Sequence, residues 1–274
     1  DAASSAPVYV RSNSSTGTST TLDIGSVGTN RLVVIIASRE GGSTNLTGAQ
    51  VDGKACIFVT RAVNPDGAVN RTEMWYCDED NLGSSTSSVN VAIQGGSASW
   101  ATHAHLYTGA AQSGPIDAGV DQTSVSSTTI NVSGIDVPVN GLVVMSAANG
   151  QSGTYNTWTS PLTERTDGPN PNSAVLATAS DIETSAITNK TYTATGSVVN
   201  NRGTGIVASW APAAASSWTY CADENQFCSF SGTKQVRYGA NSTYFYQSFT
   251  DGTSCSNSVF GDPLFGVLKH CDYQ

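Results

Sequence analysis

Short runs of β-branched and aromatic residues, separated by Gly, Asn, Asp and Ser, constrain this chain more than any other feature of its sequence. The runs at 31–38, 71–77 and 100–108 each have the length and composition of a β-strand. No segment of helix length repeats its apolar residues about every 3.6 positions, and the helix formers Leu, Glu and Lys are scarce. We therefore predict an all-β protein.

The order of these runs repeats along the chain. Residues 20–34, TTLDIGSVGTNRLVV, align with residues 128–144, TTINVSGIDVPVNGLVV, with a two-residue insertion. The repeat predicts two similar halves at about 20–110 and 128–211, facing each other as the layers of a jelly-roll-like antiparallel β-sandwich. The alternative is that two buried Val-rich strands look alike through composition alone.

A second, smaller module is predicted after this body. Residues 211–217, APAAASS, have the composition of a linker, so we place a sandwich body at 1–212 and a disulfide-rich β module at 218–274. The module contains four of the six cysteines. A segment this short depends on disulfides and aromatic packing for its core.

The six cysteines indicate a disulfide framework, because none forms a C-x-x-C pair or lies at zinc-ligand spacing from a histidine. We predict that Cys56 pairs with Cys77 in the body. The remaining four pair among themselves, in one of three possible connectivities: Cys221, Cys228, Cys255 and Cys271. The chain begins at Asp1, and we expect a mature secreted, extracellular form. The alternative is six buried free thiols in a cytosolic protein.

The charge balance excludes two classes of partner. The chain has 12 Lys+Arg against 21 Asp+Glu and a formal net charge of −9. Nucleic acid and anionic membranes both require clustered basic residues, so we expect neither as a partner. The longest strongly apolar run is the six residues at 32–37, which is too short for membrane insertion.

Two stretches show family resemblance. In the body, residues 32–34, 48–53, 73–76 and 107–109 resemble a jelly-roll domain of secreted microbial proteins. The module is similar to a small cysteine-rich module at the C-terminus of secreted polysaccharide-active proteins. The match there rests on the four cysteines and on Glu224, Gln226, residues 236–241, residues 260–263 and Lys269. This second resemblance implies a carbohydrate-binding role.

Candidate catalytic residues lie in the body. His103, His105 and Tyr107 alternate along one predicted strand, so their side chains share one face of the sheet. Together with Arg71 they would form the site of a polysaccharide lyase or glycoside hydrolase, if the protein is an enzyme. The alternative is that both histidines are simply hydrogen-bonded or solvated structural residues.

Candidate ligand-binding residues lie in the module, and they are Trp218, Arg237, Tyr238, Tyr244 and Tyr246. Aromatic rings stack on the apolar faces of sugars, while Arg, Asn and Asp bond the hydroxyls. The alternative is that the aromatic residues form the core of the module. A polysaccharide or other glycan is the partner that these residues predict.

Two further sites are predicted in the body. Asp66, Asp78 and Asp80 lie in turn sequences and offer oxygen ligands suited to calcium, although Asp is also an ordinary turn residue. No other cofactor is expected. The apolar patch at 7–10 predicts an edge strand, which can mediate self-association by pairing with a neighbouring chain.

The function that we predict from the sequence is a secreted carbohydrate-binding or adhesive protein that recognises an extracellular polysaccharide. One alternative is a polysaccharide lyase or glycoside hydrolase with its groove on the sandwich. A further alternative is a structural subunit of an extracellular filament.

Overall fold

The computed structural model describes residues 6–27, 29–41, 44–64, 70–83, 85, 87–96, 100–123, 127–170, 174–200, 202–214, 218–241 and 243–274, without the side chains of residues 169, 170 and 200. These residues belong to two compact units, one within Ser4–Ala214 and one within Ala215–Gln274. No helix in the ranges given is long and apolar enough to cross a membrane.

The first half of the larger unit consists of two antiparallel sheets. In chain order its elements are β1 (Val8–Ser15), β2 (Ser19–Asp23), β3 (Leu32–Glu40), β4 (Gly48–Val51), β5 (Lys54–Ala55), β6 (Ile57–Val63), β7 (Asn70–Cys77), α1 (Glu79–Leu82), β8 (Ser88–Gln94) and β9 (Ala101–Thr108). One sheet has the order β1-β9-β3-β7-β6, and the other has the order β2-β8-β4-β5.

The second half is built in the same way. Its strands are β10 (Asp117–Thr123), β11 (Ser127–Val137), β12 (Gly141–Asn149), β13 (Tyr155–Trp158), β14 (Thr163–Asn170), β15 (Ala174–Glu183), β16 (Ile187–Asn200) and β17 (Gly203–Trp210). They form a five-stranded sheet, β10-β17-β12-β15-β14, and a three-stranded sheet, β11-β16-β13.

The two halves share one topology. Exchanging β1, β9, β3, β7 and β6 for β10, β17, β12, β15 and β14 converts one five-stranded sheet into the other, and β2-β8-β4 corresponds to β11-β16-β13. In each half the first strand pairs antiparallel with the last, as in a jelly roll. The jelly-roll-like, all-β prediction is confirmed. The halves are not the two layers of one sandwich, however, because each half has two layers of its own.

The two halves pack through their five-stranded sheets, which gives a stack of four layers. One core fills the first sandwich and another fills the second. A third core lies between the halves, where Leu32 and Val34 of β3 meet Leu142 and Val144 of β12. The two five-stranded sheets are therefore covered on both faces.

This layering explains two different sequence patterns. Strand β3 has a continuous buried run from Leu32 to Ser38, because both of its faces pack against other sheets. Strand β2 belongs to an outer sheet, and its burial alternates between exposed and buried residues. The Val-rich runs thus identify central strands, and the alternating runs identify outer ones.

The C-terminal unit is a small β module. Its elements are β18 (Thr219–Asp223), β19 (Phe227–Cys228), β20 (Thr233–Ala240), β21 (Thr243–Thr250), β22 (Thr253–Ser254), α2 (Asn257–Phe260) and β23 (His270–Tyr273). Strands β18, β23, β20 and β21 form a four-stranded antiparallel sheet in that order, and β19 pairs with β22. Its core includes Val236, Tyr238, Cys228, Cys255 and Cys271.

All six cysteines form disulfides. Cys56 pairs with Cys77, as predicted. In the module, where the sequence left three connectivities possible, the disulfides are Cys221–Cys228 and Cys255–Cys271. Three disulfides and no free thiol indicate an oxidising compartment.

Candidate functional site

One face of the four-stranded sheet in the C-terminal unit carries side chains typical of a ligand-binding surface. The strand register aligns Tyr220, Asp272, Arg237 and Tyr246 in one row across the sheet. In the next row His270 and Tyr244 lie on either side of Gly239. Directly opposed residues point to the same face. We call this surface, formed by Trp218, Tyr220, Arg237, Tyr244, Tyr246, His270 and Asp272, the aromatic face.

Arg237 lies at the centre of the aromatic face. Its guanidinium carbon is 4.8 Å from the ring centroid of Trp218 and 4.3 Å from that of Tyr244. Its Nε donates a hydrogen bond of 2.6 Å to Oδ2 of Asp272. A guanidinium held by two rings and a carboxylate loses little further rotamer freedom when a ligand binds.

Asp272 joins the arginine to a histidine. Its side chain is only 6% exposed, and the Oδ2 atom that accepts from Arg237 also lies 3.3 Å from Nε2 of His270. The His270 ring lies 6.1 Å from the ring centroid of Tyr220 and 5.9 Å from that of Tyr244. One buried carboxylate therefore fixes two ligand-facing groups and the rings around them.

Gly239 allows this arrangement. A Cβ atom at this position would lie 2.0 Å from the carbonyl oxygen of Thr243, so the tight approach of β20 and β21 admits only glycine. Gly239 pairs with Tyr244 on one side and with His270 on the other. Because it has no side chain, the Tyr244 and His270 rings meet across it.

The outer parts of the aromatic face reach solvent. Tyr220 is 57% exposed and Tyr246 is 56% exposed. The Trp218 ring lies 5.8 Å from that of Tyr246, and Trp218 is partly buried. The face thus offers apolar ring surfaces beside fixed polar groups, which is the chemistry of a shallow sugar-binding surface.

The structure brings together four of the five ligand-binding residues predicted from the sequence. Trp218, Arg237, Tyr244 and Tyr246 are in mutual contact through the distances given above. Tyr238 is not part of this group. It follows Arg237 directly in β20, so its side chain points to the opposite face of the sheet.

Tyr238 is a core residue of the module. It is 0% exposed and its ring stacks on Phe260 at 5.3 Å. Its hydroxyl donates to Oε1 of Glu224 at 2.7 Å and lies 2.8 Å from Oδ1 of Asn257. Burial raises its pKa well above the ordinary value. The prediction that Tyr238 contacts ligand is therefore wrong.

Sequence reasoning missed Tyr220, His270 and Asp272. His270 and Asp272 are two positions apart in β23, and Tyr220 lies in β18. All three are 17 or more positions from Arg237 in the chain. The pairing of β23 between β18 and β20 brings them beside it. The Cys255–Cys271 disulfide anchors β23, and the local sequence carries no signal for the strands with which β23 pairs.

The predicted catalytic row of the body is buried. His103, His105 and Tyr107 are 1%, 0% and 0% exposed, between the two five-stranded sheets. Nδ1 of His103 lies 2.7 Å from Oγ1 of Thr166 in the other half. Burial lowers the pKa of His103 to about 4 and that of His105 to about 3, and it raises the pKa of Tyr107. Both histidines are neutral at neutral pH.

Arg71 does not join these three residues. The register of β7 and β3 opposes Arg71 to Arg39, whereas Met74 opposes Ile36, which in turn opposes His103. Arg71 and Met74 differ by an odd number of positions and point to opposite faces of the sheet. The prediction that these four residues form one catalytic site is therefore wrong, because they lie on both sides of a covered sheet.

Arg165 of β14 is the arginine that approaches the buried row. Its guanidinium carbon lies 4.2 Å from the ring centroid of Tyr9, and the Tyr9 ring lies 5.8 Å from that of Tyr107. Nε of Arg165 donates to Oγ of Ser180 at 2.9 Å. A small pocket of about 290 Å³ lies beside Arg165 and Tyr9. The sequence gives no signal that Arg165 approaches this row, because Arg165 belongs to β14 in the second half and the row belongs to β9 in the first.

The predicted calcium ligands have other roles or lie outside the description. The carboxylate of Asp78 accepts from the backbone N–H of Asn81 at 3.2 Å and caps α1. Asp80 is exposed in the first turn of that helix. Asp66 lies outside the described residues. Within the described residues, no group of three or more His, Cys, Asp or Glu side chains is placed to hold a metal ion.

Comparison with known proteins gives little further guidance. No protein-family model matches the chain, and no solved structure matches it. A protein of Acanthamoeba polyphaga mimivirus, described as Uncharacterized protein L701, is 38% identical over 59 residues. The aligned stretch is 21% of this chain and 29% of the viral protein, so the similarity covers less than a third of either.

Proposed function

We propose that the protein binds carbohydrate through the aromatic face of its C-terminal unit. The observation that carries this proposal is the position of Arg237, held between Trp218 and Tyr244 and bonded to the buried Asp272. Exposed rings with a fixed donor and acceptor among them match the alternating apolar and hydroxyl surfaces of a sugar ring.

The charges of the aromatic face favour a neutral polysaccharide. Arg237 and Asp272 compensate each other within one hydrogen-bonded pair. Asp223, exposed in the row of His270, adds a negative charge. The chain as a whole carries a formal charge of −9. This surface would repel acidic glycans, so the ligand class that it fits is a neutral, hydroxyl-rich polysaccharide.

The disulfides support an extracellular setting for this binding. Three disulfides are typical of proteins that fold in an oxidising compartment and act outside the cell. We propose that the protein is secreted and acts as a recognition or adhesive protein on an extracellular polysaccharide.

Affinity electrophoresis on gels that contain neutral plant or algal polysaccharides tests the proposal, after a glycan array has selected the ligand. We expect Trp218→Ala and Tyr246→Ala each to weaken binding at least about tenfold, since aromatic anchors dominate such surfaces. Arg237→Lys keeps the charge but loses the planar group stacked on two rings, so it should also weaken binding.

The matched control is Phe265→Ala. Phe265 is 95% exposed in the same unit and is not part of the aromatic face, so its removal should leave affinity unchanged. Circular dichroism establishes that every variant is folded. Folded wild-type protein that binds no neutral glycan would refute the proposal, as would equal losses in the Phe265→Ala and Trp218→Ala variants.

The two alternative functions have less geometric support. A lyase or hydrolase site on the sandwich would need the predicted residues on one open face, and Arg71 and His103 lie on opposite faces of a covered sheet. Self-association through the N-terminal strand stays a prediction: β1 is an edge strand of its sheet and pairs with β9.

A further inference from the structure

Three arginines gather at one end of the five-stranded sheet in the first half. Arg71 of β7 opposes Arg39 of β3 in the strand register. On the other side of β7, Arg61 of β6 opposes Glu73. Opposed residues, and residues two apart in one strand, point to the same face, so these four side chains share the face that turns toward the outer sheet. We call them the arginine cluster.

The arginine cluster has more positive than negative charge. Glu73 is its one carboxylate among the described residues, and both of its oxygens are engaged. Oε2 accepts from Nη2 of Arg61 at 2.8 Å, and Oε1 accepts from the backbone N–H of Leu46 at 3.1 Å. Three guanidinium groups around one carboxylate leave an excess of two positive charges, and like charges directly opposed across two strands are unfavourable.

Arg71 is the buried member of the cluster. It is only 5% exposed, and neither Nε nor Nη1 has a hydrogen-bond partner among the described residues. Nε of Arg61 also lacks a partner there. A buried donor on a charged group destabilises the fold when it is left without an acceptor. We therefore expect these donors to be compensated by an acceptor group that binds beside them.

Another arginine of the same half shows how this chain satisfies a buried guanidinium. Arg31 is 0% exposed, and its Nε and Nη2 both bond the carboxylate of Glu79. Its Nη1 donates to the carbonyl oxygen of Ser85, and its Nη2 donates to that of Gly83. Arg31 thus has a structural role with its donors used internally. Arg71 has the same burial without the same partners.

We propose that the arginine cluster is a binding site for an oxyanion, meaning a carboxylate, sulfate or phosphate group. The planar fork of a guanidinium matches two oxygens of such a group, and the pairing is strong where water is excluded. Nε and Nη1 lie on different edges of the Arg71 guanidinium, so each offers an oxyanion a donor of its own. The Arg61 side chain is 26% exposed and links the buried Arg71 to solvent.

The other two arginines of the cluster are held in place by neighbouring groups. The guanidinium of Arg39 lies 5.5 Å from the ring centroid of Trp100, and its Nε donates to the carbonyl oxygen of Gly41. Arg61 lies 5.2 Å from the ring centroid of Phe58. Both groups are therefore oriented before an anion arrives, which reduces the entropic cost of binding.

Isothermal titration of the full chain with sodium sulfate, sodium phosphate or sodium acetate, at constant ionic strength set by sodium chloride, tests the proposal. We expect saturable binding with one site per chain for at least one of these anions. Arg71→Met should abolish it, and Arg61→Gln should weaken it at least about tenfold, because each removes charge-assisted hydrogen bonds. A sulfated dextran arm distinguishes a free ion from the same group carried on a polymer.

Thermal unfolding supplies a second measurement. The bound oxyanion should raise the Tm of the wild type but not that of Arg71→Met. Without oxyanion, Arg71→Met should unfold at the wild-type Tm or above it, since it removes an unpaired buried charge. Arg11→Gln is the matched control, because it removes an exposed arginine that pairs with Asp23 elsewhere in the same half. Absence of saturable binding, or equal anion effects in Arg71→Met and the wild type, would overturn the proposal.

Discussion

The two histidines buried between the halves predict that acid destabilises the larger unit. Burial lowers the pKa of His103 to about 4 and that of His105 to about 3, from an ordinary value of 6.5. Below about pH 6.5 the unfolded chain therefore binds protons that the folded chain does not. The free energy of unfolding consequently decreases as the pH is lowered. The stabilising effect is fully present above the ordinary pKa and is lost as pH decreases from there.

The size of the effect follows from the two pKa values. At about pH 4.5 each histidine lowers the free energy of unfolding by about 2 to 3 kcal/mol relative to about pH 7.5, or about 5 kcal/mol together. Asp167 acts in the opposite direction, because burial raises its pKa to about 6 and its folded form takes up a proton first. Allowing for its partial exposure, Asp167 offsets about 1 to 2 kcal/mol. These three groups together give an expected loss of about 3 to 4 kcal/mol.

His105→Leu isolates one of the two contributions. Neither ring nitrogen of His105 has a hydrogen-bond partner among the described residues, so an apolar side chain of similar size sacrifices no hydrogen bond. We expect the stability lost between about pH 7.5 and pH 4.5 to be about 2 to 3 kcal/mol smaller in His105→Leu than in the wild type.

Urea unfolding followed by tryptophan fluorescence at both pH values measures this difference. His270→Leu is the matched control, because it removes a histidine from the C-terminal unit and should leave the acid sensitivity of the larger unit unchanged. Equal losses of stability in the wild type and His105→Leu would refute the reasoning, since they would mean that the His105 ring takes up a proton in the folded protein as readily as in the unfolded chain.

Two further variants test how single residues support the fold. Gly239→Ala places a Cβ atom 2.0 Å from the carbonyl oxygen of Thr243 and should destabilise the C-terminal unit by about 2 kcal/mol or more, measured as faster proteolysis of that unit. Gly232→Ser meets no atom of the described residues within 4 Å and is strained only by its φ of +75°, so it should cost less. Arg31→Met removes the buried guanidinium that bonds the carboxylate of Glu79 and should lower the free energy of unfolding by about 3 to 5 kcal/mol in urea, whereas a change below about 1 kcal/mol would contradict the role assigned to the pair.

The sequence predicted the fold well where burial alone determines the pattern. The apolar run at 32–37 indicated a strand, and its lack of alternation reflects a sheet covered on both faces. The internal repeat at 20–34 and 128–144 corresponds to β2–β3 and β11–β12, which occupy equivalent places in the two halves. The stack of four layers was not predicted, because the packing of one half on the other leaves no local sequence signal.

The sites depended on pairings that the sequence did not reveal. Tyr244 and Tyr246 alternate along β21 and share one face, and the same rule separates Arg237 from Tyr238 in β20. His103 and His105 share a face as predicted, but the second half covers that face. Local alternation thus predicts which residues share a face, whereas only the tertiary structure determines whether the face meets solvent.

The packing of the two halves makes the larger unit equivalent to a dimer contained in one chain. Two separate jelly rolls that met through the same five-stranded sheets would bury the same kind of surface, with each face contributed by a different copy. Because the two halves are separate segments of one chain, the residues on each face can differ from those on the other. One half now supplies His103 and its partner half supplies Thr166, a pairing that two identical subunits could form only in duplicate. Expressed alone, either half would expose a continuous apolar face, which in the first half includes Leu32, Val34 and Ile36, and would aggregate or pair with itself.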